Sequence, residues 1–476
     1  MLELLLWSAL GVAVLFSAGH ALLHKRDPRA GLGWIVTCLA LPGLGACLYW
    51  LFGVNRIRTR ARDWQALGKG MVWVEPGLCE WSPEREEALP FRRENYAALL
   101  SLSDAVTRRP LLSGNRILLL HNGEEAYPAM LQAIDEARQT VLLSSYIFDA
   151  DDTGKKFVEA LRNAVNRGVT VKVLIDGLGE RYSFPPVRRL MRGTGIRVAR
   201  FLPPSLSGRG IYFNLRNHRK LLVIDDSVGF TGGMNIGDRH LAAERGNARR
   251  VEDIHFRLEG QIVGHLQEAF LEDWHFATGE DFDDVPYPPP VPGGEAFCRG
   301  ISAGPNEDFE KLTWIVVGAL NCARRRVRIM TPYFIPDRSL ITAINSAALR
   351  GVEIDIVLPG KNNLFYVAWA SWAYHWEMLE YGTRIFYQPP PFVHSKLLLV
   401  DDEYVLAGSA NLDPRSLRLN FEFNVEVYDR ELTDKLHRHF DDVCARSHEL
   451  TLPQVDGRPL PQKLRDAFAK LFSPYL

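Results

Sequence analysis

Two stretches decide how this chain folds: HRKLLVIDDSVGFTGGMNIGDR, His218 to Arg239, and HSKLLLVDDEYVLAGSANLDPR, His394 to Arg415. Laid side by side without a gap, nine of their 22 positions are identical. Each reads H-x-K, four residues, Asp, six residues, then G-[GS]-x-N. Alternation along a strand puts His and Lys on one face, two residues apart. The apolar runs LLVI and LLLV carry that strand into a buried sheet. The Gly pair lets the chain turn closely, so that the Asn side chain reaches back toward the same face.

One such block makes half a site. Two blocks facing each other bring together His218, Lys220 and Asn235 with His394, Lys396 and Asn411, and that set suits a phosphodiester. Lysines and asparagines can hold the non-bridging oxygens. One imidazole can attack phosphorus while the other moves the proton of the leaving and entering alcohols. The symmetry of the two blocks leaves these two roles interchangeable. The set calls for no metal and no other cofactor, since cationic side chains carry the charge.

Outward from the motifs, strand and helix signals alternate. Residues 140–148, 169–175, 327–334 and 352–358 read as strands, and residues 154–166 and 340–349 as helices. The plan is the same in both halves, which implies an α/β protein of two similar lobes. A proline-rich stretch, 286–292 (PYPPPVP), reads as a stiff linker between them. The expected division is 1–60 for a membrane hairpin, 61–110 for a juxtamembrane linker, 111–292 for the first lobe and 293–476 for the second.

The hairpin rests on two apolar runs. Leu4 to Leu23 carries one ionisable side chain, His20, and Gly31 to Gly53 carries none. Each is long enough to cross a hydrocarbon core as a helix. Glu3, with no early Lys or Arg, makes the first run a poor signal peptide. Pro42, Gly43 and Gly45 are placed to kink the second. Lys25, Arg26 and Arg29 lie in the short link, and Arg56, Arg58, Arg60 and Arg62 follow the second run. The larger basic cluster puts the main body in the cytoplasm.

The 476 residues carry a net charge of -1, which gives no reason to expect nucleic acid as a partner. None of the six cysteines forms a C-x-x-C pair or sits at metal-ligand spacing with histidines, so they read as reduced thiols.

The duplicated motif resembles the signature of the phospholipase D superfamily. NHRKLLVIDD at 217–226, TPYFIPD at 331–337 and VHSKLLLVDDEYVLAGSANLDPRSLRLNFE at 393–422, with the two N-terminal apolar runs, resemble bacterial cardiolipin synthases more closely. The resemblance implies two α/β/α lobes around one shared site, in a multi-pass protein of the bacterial inner membrane. It implies transfer between two phosphatidylglycerol molecules, giving cardiolipin and glycerol through a phosphohistidine. Within the catalytic set His218, Lys220, Asp225, His394, Lys396 and Asp401, it makes His218 the nucleophile and His394 the acid/base, with Asp225 and Asp401 bracing the motifs. It also implies a downstream acid orienting each histidine: Glu422 for His394, and Asp253 for His218.

Gly233 stands where the second motif has Ser409, which breaks strict equivalence. Phe365, Trp369, Trp372 and Trp376 fall on one helical stripe, facing either lipid or core. Arg216, Arg219, Arg415 and Arg418 flank the motifs and either hold a second phosphate or lie in solvent. Tyr146 and Tyr333, at matching strand ends, either line the site or pack in the core. The same intermediate serves a phospholipase D or a phosphatidylserine synthase, since the motif fixes the phosphoryl chemistry and not the acceptor. A nuclease and a non-catalytic scaffold fit less well.

Overall fold

The computed structural model describes residues 2–25, 28–54, 93–203, 215–304 and 310–473, apart from 245, 248, 284 and 286. They fall into two compact units, an N-terminal one within residues 2–54 and a larger one holding everything described from 93 onward. Arg56, Arg58, Arg60, Arg62 and Cys79 lie outside the described residues, as does most of the expected linker.

In the N-terminal unit, Leu2–His24 is one continuous helix, and Leu5–His24 is long and apolar enough to span a membrane. The second apolar run does not make one such helix. It forms Pro28–Ala40, breaks, and resumes as Leu44–Leu48 followed by a π turn at Tyr49–Gly53. Pro42 lacks an N–H to donate, and Gly43 adopts φ +84°, so the helix cannot run through. Two half-buried polar contacts tie the last piece to the first helix: Trp50 Nε1 donates to Ser17 Oγ at 2.9 Å, and His20 Nδ1 lies 2.7 Å from the Tyr49 hydroxyl.

In the larger unit, the first lobe sets strands Thr140–Ser145, Thr170–Asp176 and Arg197–Phe201 parallel to one another. The second lobe repeats this with Arg326–Met330, Glu353–Pro359 and Arg384–Gln388. The crossover helices Asp152–Asn166 and Arg338–Leu349 start the same way. Asp151 accepts from the Gly154 amide and Asp337 from the Leu340 amide, each at 3.0 Å. Such a cap contributes about 1 kcal/mol.

Each motif strand then returns antiparallel, Leu221–Ile224 against Thr140–Ser145 and Leu397–Val400 against Arg326–Met330. Both are buried on both faces. Leu221 and Val223 join Leu397 and Leu399 in a core common to the two lobes, while Leu222 and Ile224, and Leu398 and Val400, face the separate core of their own lobe. Among the described residues the two halves form one 15-stranded sheet, joined where Leu112–His121 of the first lobe pairs antiparallel with Ala296–Ala303 of the second.

Two stretches differ from expectation. The end of the expected linker is a helix, Arg93–Thr107, whose Tyr96, Leu99 and Leu100 complete the second lobe's core. The described part of the proline-rich stretch is docked rather than free: the Val291 amide donates to Gly114 O, and Arg116 to Pro292 O.

Candidate active site

The two lobes exchange backbone hydrogen bonds at the start of each motif. The His218 amide donates to Phe421 O at 2.8 Å, and the His394 amide donates to Glu252 O at 2.8 Å. The residue after each acceptor is an acid, so each acid is delivered to the histidine of the opposite lobe. His218 Nδ1 lies 3.0 Å from Glu422 Oε2, and His394 Nδ1 lies 2.8 Å from Asp253 Oδ2. The expectation that Glu422 serves His394 and Asp253 serves His218 is therefore corrected: the pairs cross between lobes. Spacing along the chain suggests the pairing within a lobe, but the inter-lobe strand register decides it.

Burial is the largest influence on Glu422 and pushes its carboxyl up. His218, its hydrogen bond, Lys220 and the Ser409 hydroxyl at 2.5 Å outweigh it, and the group ends below the ordinary value. An ionised Glu422 fixes the proton of neutral His218 on Nδ1 and leaves Nε2 with its lone pair. Burial holds His218 below the usual imidazole range. His394 is held well below it, first by burial, then by the charges of Lys396, Lys220 and His218. Both imidazoles and both lysines thus share one electrostatic neighbourhood.

Lys220 Nζ donates to His218 O at 2.7 Å, and Lys396 Nζ to His394 O. Burial brings Lys220 down to about 7 and Lys396 to about 8. An anion entering such a site restores the charge, because it favours the protonated form of every group around it.

Asn235 accepts from the Ile147 amide at 3.1 Å, which leaves its NH2 free to donate inward. Asn411 donates to Ser416 Oγ at 3.1 Å, and its Oδ1 is buried without a partner. Turned over, the same amide accepts from Ser416 and presents its NH2, the orientation Asn235 already has.

Asp225 and Asp401 brace the motifs. Asp225 accepts from the amides of Arg138, Gln139 and Thr140 at 2.7 to 2.8 Å. Asp401 does the same for Arg324, Arg325 and Arg326. Gly233 differs from Ser409 for a steric reason. A Cβ at Gly233 would stand 2.4 Å from Asp253 Oδ1, whereas the Ser409 hydroxyl donates to the longer Glu422.

The flanking arginines separate. Arg219, expected at a phosphate or in solvent, is buried, bonded to Glu422 O, Ala269 O and Asp273. Arg418 pairs with Asp337 and Glu310. Arg216 is buried, and burial holds its guanidinium below the ordinary value, with the charge of Asp176 opposing that and Arg415 adding to it. The Tyr146 ring meets His218 edge-on at 5.1 Å, and Tyr333 lies one ring, Phe392, away from His394. The aromatic stripe is broken: its helix spans Phe365–Trp372, and Trp376 belongs to a separate turn, His375–Leu379. Trp372 stacks on Tyr387, while Phe365 is 61% exposed.

Sequence reasoning missed His240, whose Nε2 accepts from the Asn235 amide at 3.3 Å and whose ring lies 6.2 Å from His394. It aligns with Ser416, which supports Asn411 in the other lobe. The identities differ at that position, so comparing the repeats carried no signal.

Residues 130–274 and 316–444 match a family described as cardiolipin synthase, phospholipase D-like domain, and residues 12–53 match a phospholipase D-nuclease N-terminal family. Cardiolipin synthase of Listeria monocytogenes serotype 4b is 32% identical, with 100% of both chains covered. Cardiolipin synthase A of Pseudomonas putida F1 is 32% identical, with 97% of this chain and 95% of that one covered. Phosphatidylserine synthase of Haemophilus influenzae shares the fold at 14% identity, with TM-score 0.62 over 79% of this chain and 99% of that one.

Proposed function

The chain belongs to the phospholipase D-like cardiolipin synthase family, and on that premise we propose that it joins two phosphatidylglycerol molecules into cardiolipin with release of glycerol. The observation that carries this is the crossed arrangement, in which each imidazole is held by the other lobe's acid beside two buried lysines.

His218 Nε2 attacks the phosphorus of the first lipid, and the bond to its headgroup glycerol breaks. His394, protonated once the anionic phosphodiester is bound, gives its proton to the departing alkoxide. The product is a phosphatidyl group covalently on His218. Neutral His394 then takes the proton from a headgroup hydroxyl of a second phosphatidylglycerol. That oxygen attacks phosphorus, and His218 leaves. Lys220, Lys396, Asn235 and Asn411 hold the non-bridging oxygens, where negative charge builds in both steps. The richer set of bonds on Glu422, from Ser409 and Asn420 as well as His218, supports His218 as the nucleophile.

The protein acts on phospholipid in a membrane. Both N-terminal segments cross the bilayer of the bacterial inner membrane, and the lobes, dividing near residue 292, face the cytoplasm.

Purified full-length protein given phosphatidylglycerol alone yields cardiolipin and glycerol in equal amounts. Phosphatidic acid as the sole lipid product would assign water as the acceptor and a phospholipase D activity instead.

A further inference from the structure

The mouth of the site carries exposed aromatic side chains from both lobes, at equivalent places. In the first lobe they follow strand Thr170–Asp176: Tyr182 is exposed and Phe184 is 91% exposed. In the second they follow the matching strand Glu353–Pro359: Phe365 and Tyr366 are exposed at the start of a helix. The first group is two ring contacts from His218, and the second begins just after Asn363, three contacts from His394. Tyr182 lies 6.2 Å from Tyr146, which meets His218. Tyr333 donates to Asn363 at 2.9 Å and leads through Phe392 to His394.

Helix Leu460–Lys470 extends this surface. It packs through Ala469 on Val367 and Ala370 of the Phe365–Trp372 helix, and Arg465 lies over the Trp369 ring at 4.5 Å. Its amphipathicity is inverted. Asp466 is buried against Arg458 and Arg465, while Leu460, Leu464 and Phe468, spaced i, i+4 and i+8, are 61% to 67% exposed. A surface helix in water normally points such a stripe at the core.

The charge around the first-lobe group has one sign. Arg181, Arg189 and Arg192 are exposed and carry no ion pair among the described residues, and the nearby acid, Glu180, is buried against Arg188. Exposed aromatic rings beside arginines that have no ion pair among the described residues, and an outward leucine stripe on the other lobe, match the boundary of an anionic bilayer, where apolar side chains enter the interface and guanidinium groups meet phosphates.

We propose that this rim, Phe184 and Tyr182 on one lobe with Phe365 and the Leu460–Phe468 stripe on the other, docks the mouth of the site directly onto an anionic phospholipid surface. The headgroup phosphodiester then reaches the histidines while its acyl chains stay in the bilayer. The proposal rests on the phosphatidyl-transfer reading for its substrate, and the test separates the two.

Full-length protein is reconstituted in bilayers containing phosphatidylglycerol, with an environment-sensitive fluorescent amino acid at position 184 or 365. Quenching of both by spin-labelled lipid is the expected result. Absence of quenching at both, or a lipid-independent shift that grows with protein concentration and so marks a second copy, overturns the proposal. In the same bilayers Phe184→Ser with Phe365→Ser, or Leu464→Ser with Phe468→Ser, lowers kcat/KM about tenfold, the scale of one large apolar side chain kept from lipid. Turnover of monomeric short-chain phosphatidylglycerol stays unchanged. Equal losses on both substrate forms also overturn the docking role. Quenching of the labelled proteins at both positions, with unlabelled wild-type protein inactive on phosphatidylglycerol, would remove the activity reading and leave the docking surface standing.

Discussion

The Glu422 carboxylate of the second lobe holds the His218 imidazole of the first at 3.0 Å, across 204 positions of sequence. Glu422→Gln keeps the volume but stops fixing the tautomer, so kcat falls about a thousandfold. His218→Ala combined with Glu422→Gln loses little beyond His218→Ala alone. Glu422→Gln combined with Asp253→Asn is worse than either, because those acids serve different rings. Kinetics of the single and double variants check this, and additive losses for His218 with Glu422 would break the crossed assignment.

The covalent step predicts a trapped intermediate. Acid-quenched wild-type protein carries radiolabel from lipid phosphorus on His218. His218→Ala carries none, and its activity falls by a factor of about 10³ or more. Label that persists in the variant would move the nucleophile elsewhere.

Alkaline pH should weaken substrate capture. Burial sets Lys220 at about 7 and Lys396 at about 8, so raising pH through that range strips positive charge from the empty site. The kcat/KM profile, which reports the free enzyme, declines across that window. A bound phosphodiester raises both lysines, so kcat holds to higher pH. Lys220→Arg moves the kcat/KM limb upward, since guanidinium stays charged. A flat kcat/KM from pH 7 to 9 would remove the lysines from anion binding. Because these side chains carry the charge, activity also survives a chelator within about twofold.

Gly233→Ala tests the steric asymmetry between the lobes. The added Cβ would meet Asp253 Oδ1 at 2.4 Å, forcing the acid away from His394. The expected result is a loss of kcat by a factor of about 10² with the fold intact by limited proteolysis. Ser409→Ala removes one hydrogen bond to Glu422 and costs less.

Asp401→Asn tests the brace. An amide in place of the carboxylate serves the three backbone amides poorly, so stability falls by about 2 kcal/mol, read as a lower melting temperature. The folded fraction keeps its turnover. A selective loss of kcat would make Asp401 a participant in the chemistry.

Much of the arrangement was legible because the motif strands obey simple alternation. His218 and Lys220 share a face, and LLVI and LLLV fill cores on both sides. Arg219 was misread for want of the same rule: lying between His218 and Lys220, it points to the opposite face, which is the common core and not solvent. The crossed acids were hidden because the strand exchange that delivers them, Asn217 beside Phe421 and Phe392–Val393 beside Val251–Glu252, is a tertiary register with no local pattern. The break in the second apolar run was signalled by Pro42 and Gly43, although hydropathy alone joined its pieces.

The strand exchange has a consequence for biosynthesis. A ribosome that has released only the first 300 residues has made His218 but not yet the glutamate that orients it. The acid for His394 is present by then, but that histidine is not. Neither nucleophile nor proton shuttle is assembled until translation passes residue 422, so a nascent chain cannot cleave the lipids around it. For the same reason, a change to the acid of either lobe is felt at the histidine of the other, so neither half is complete by itself.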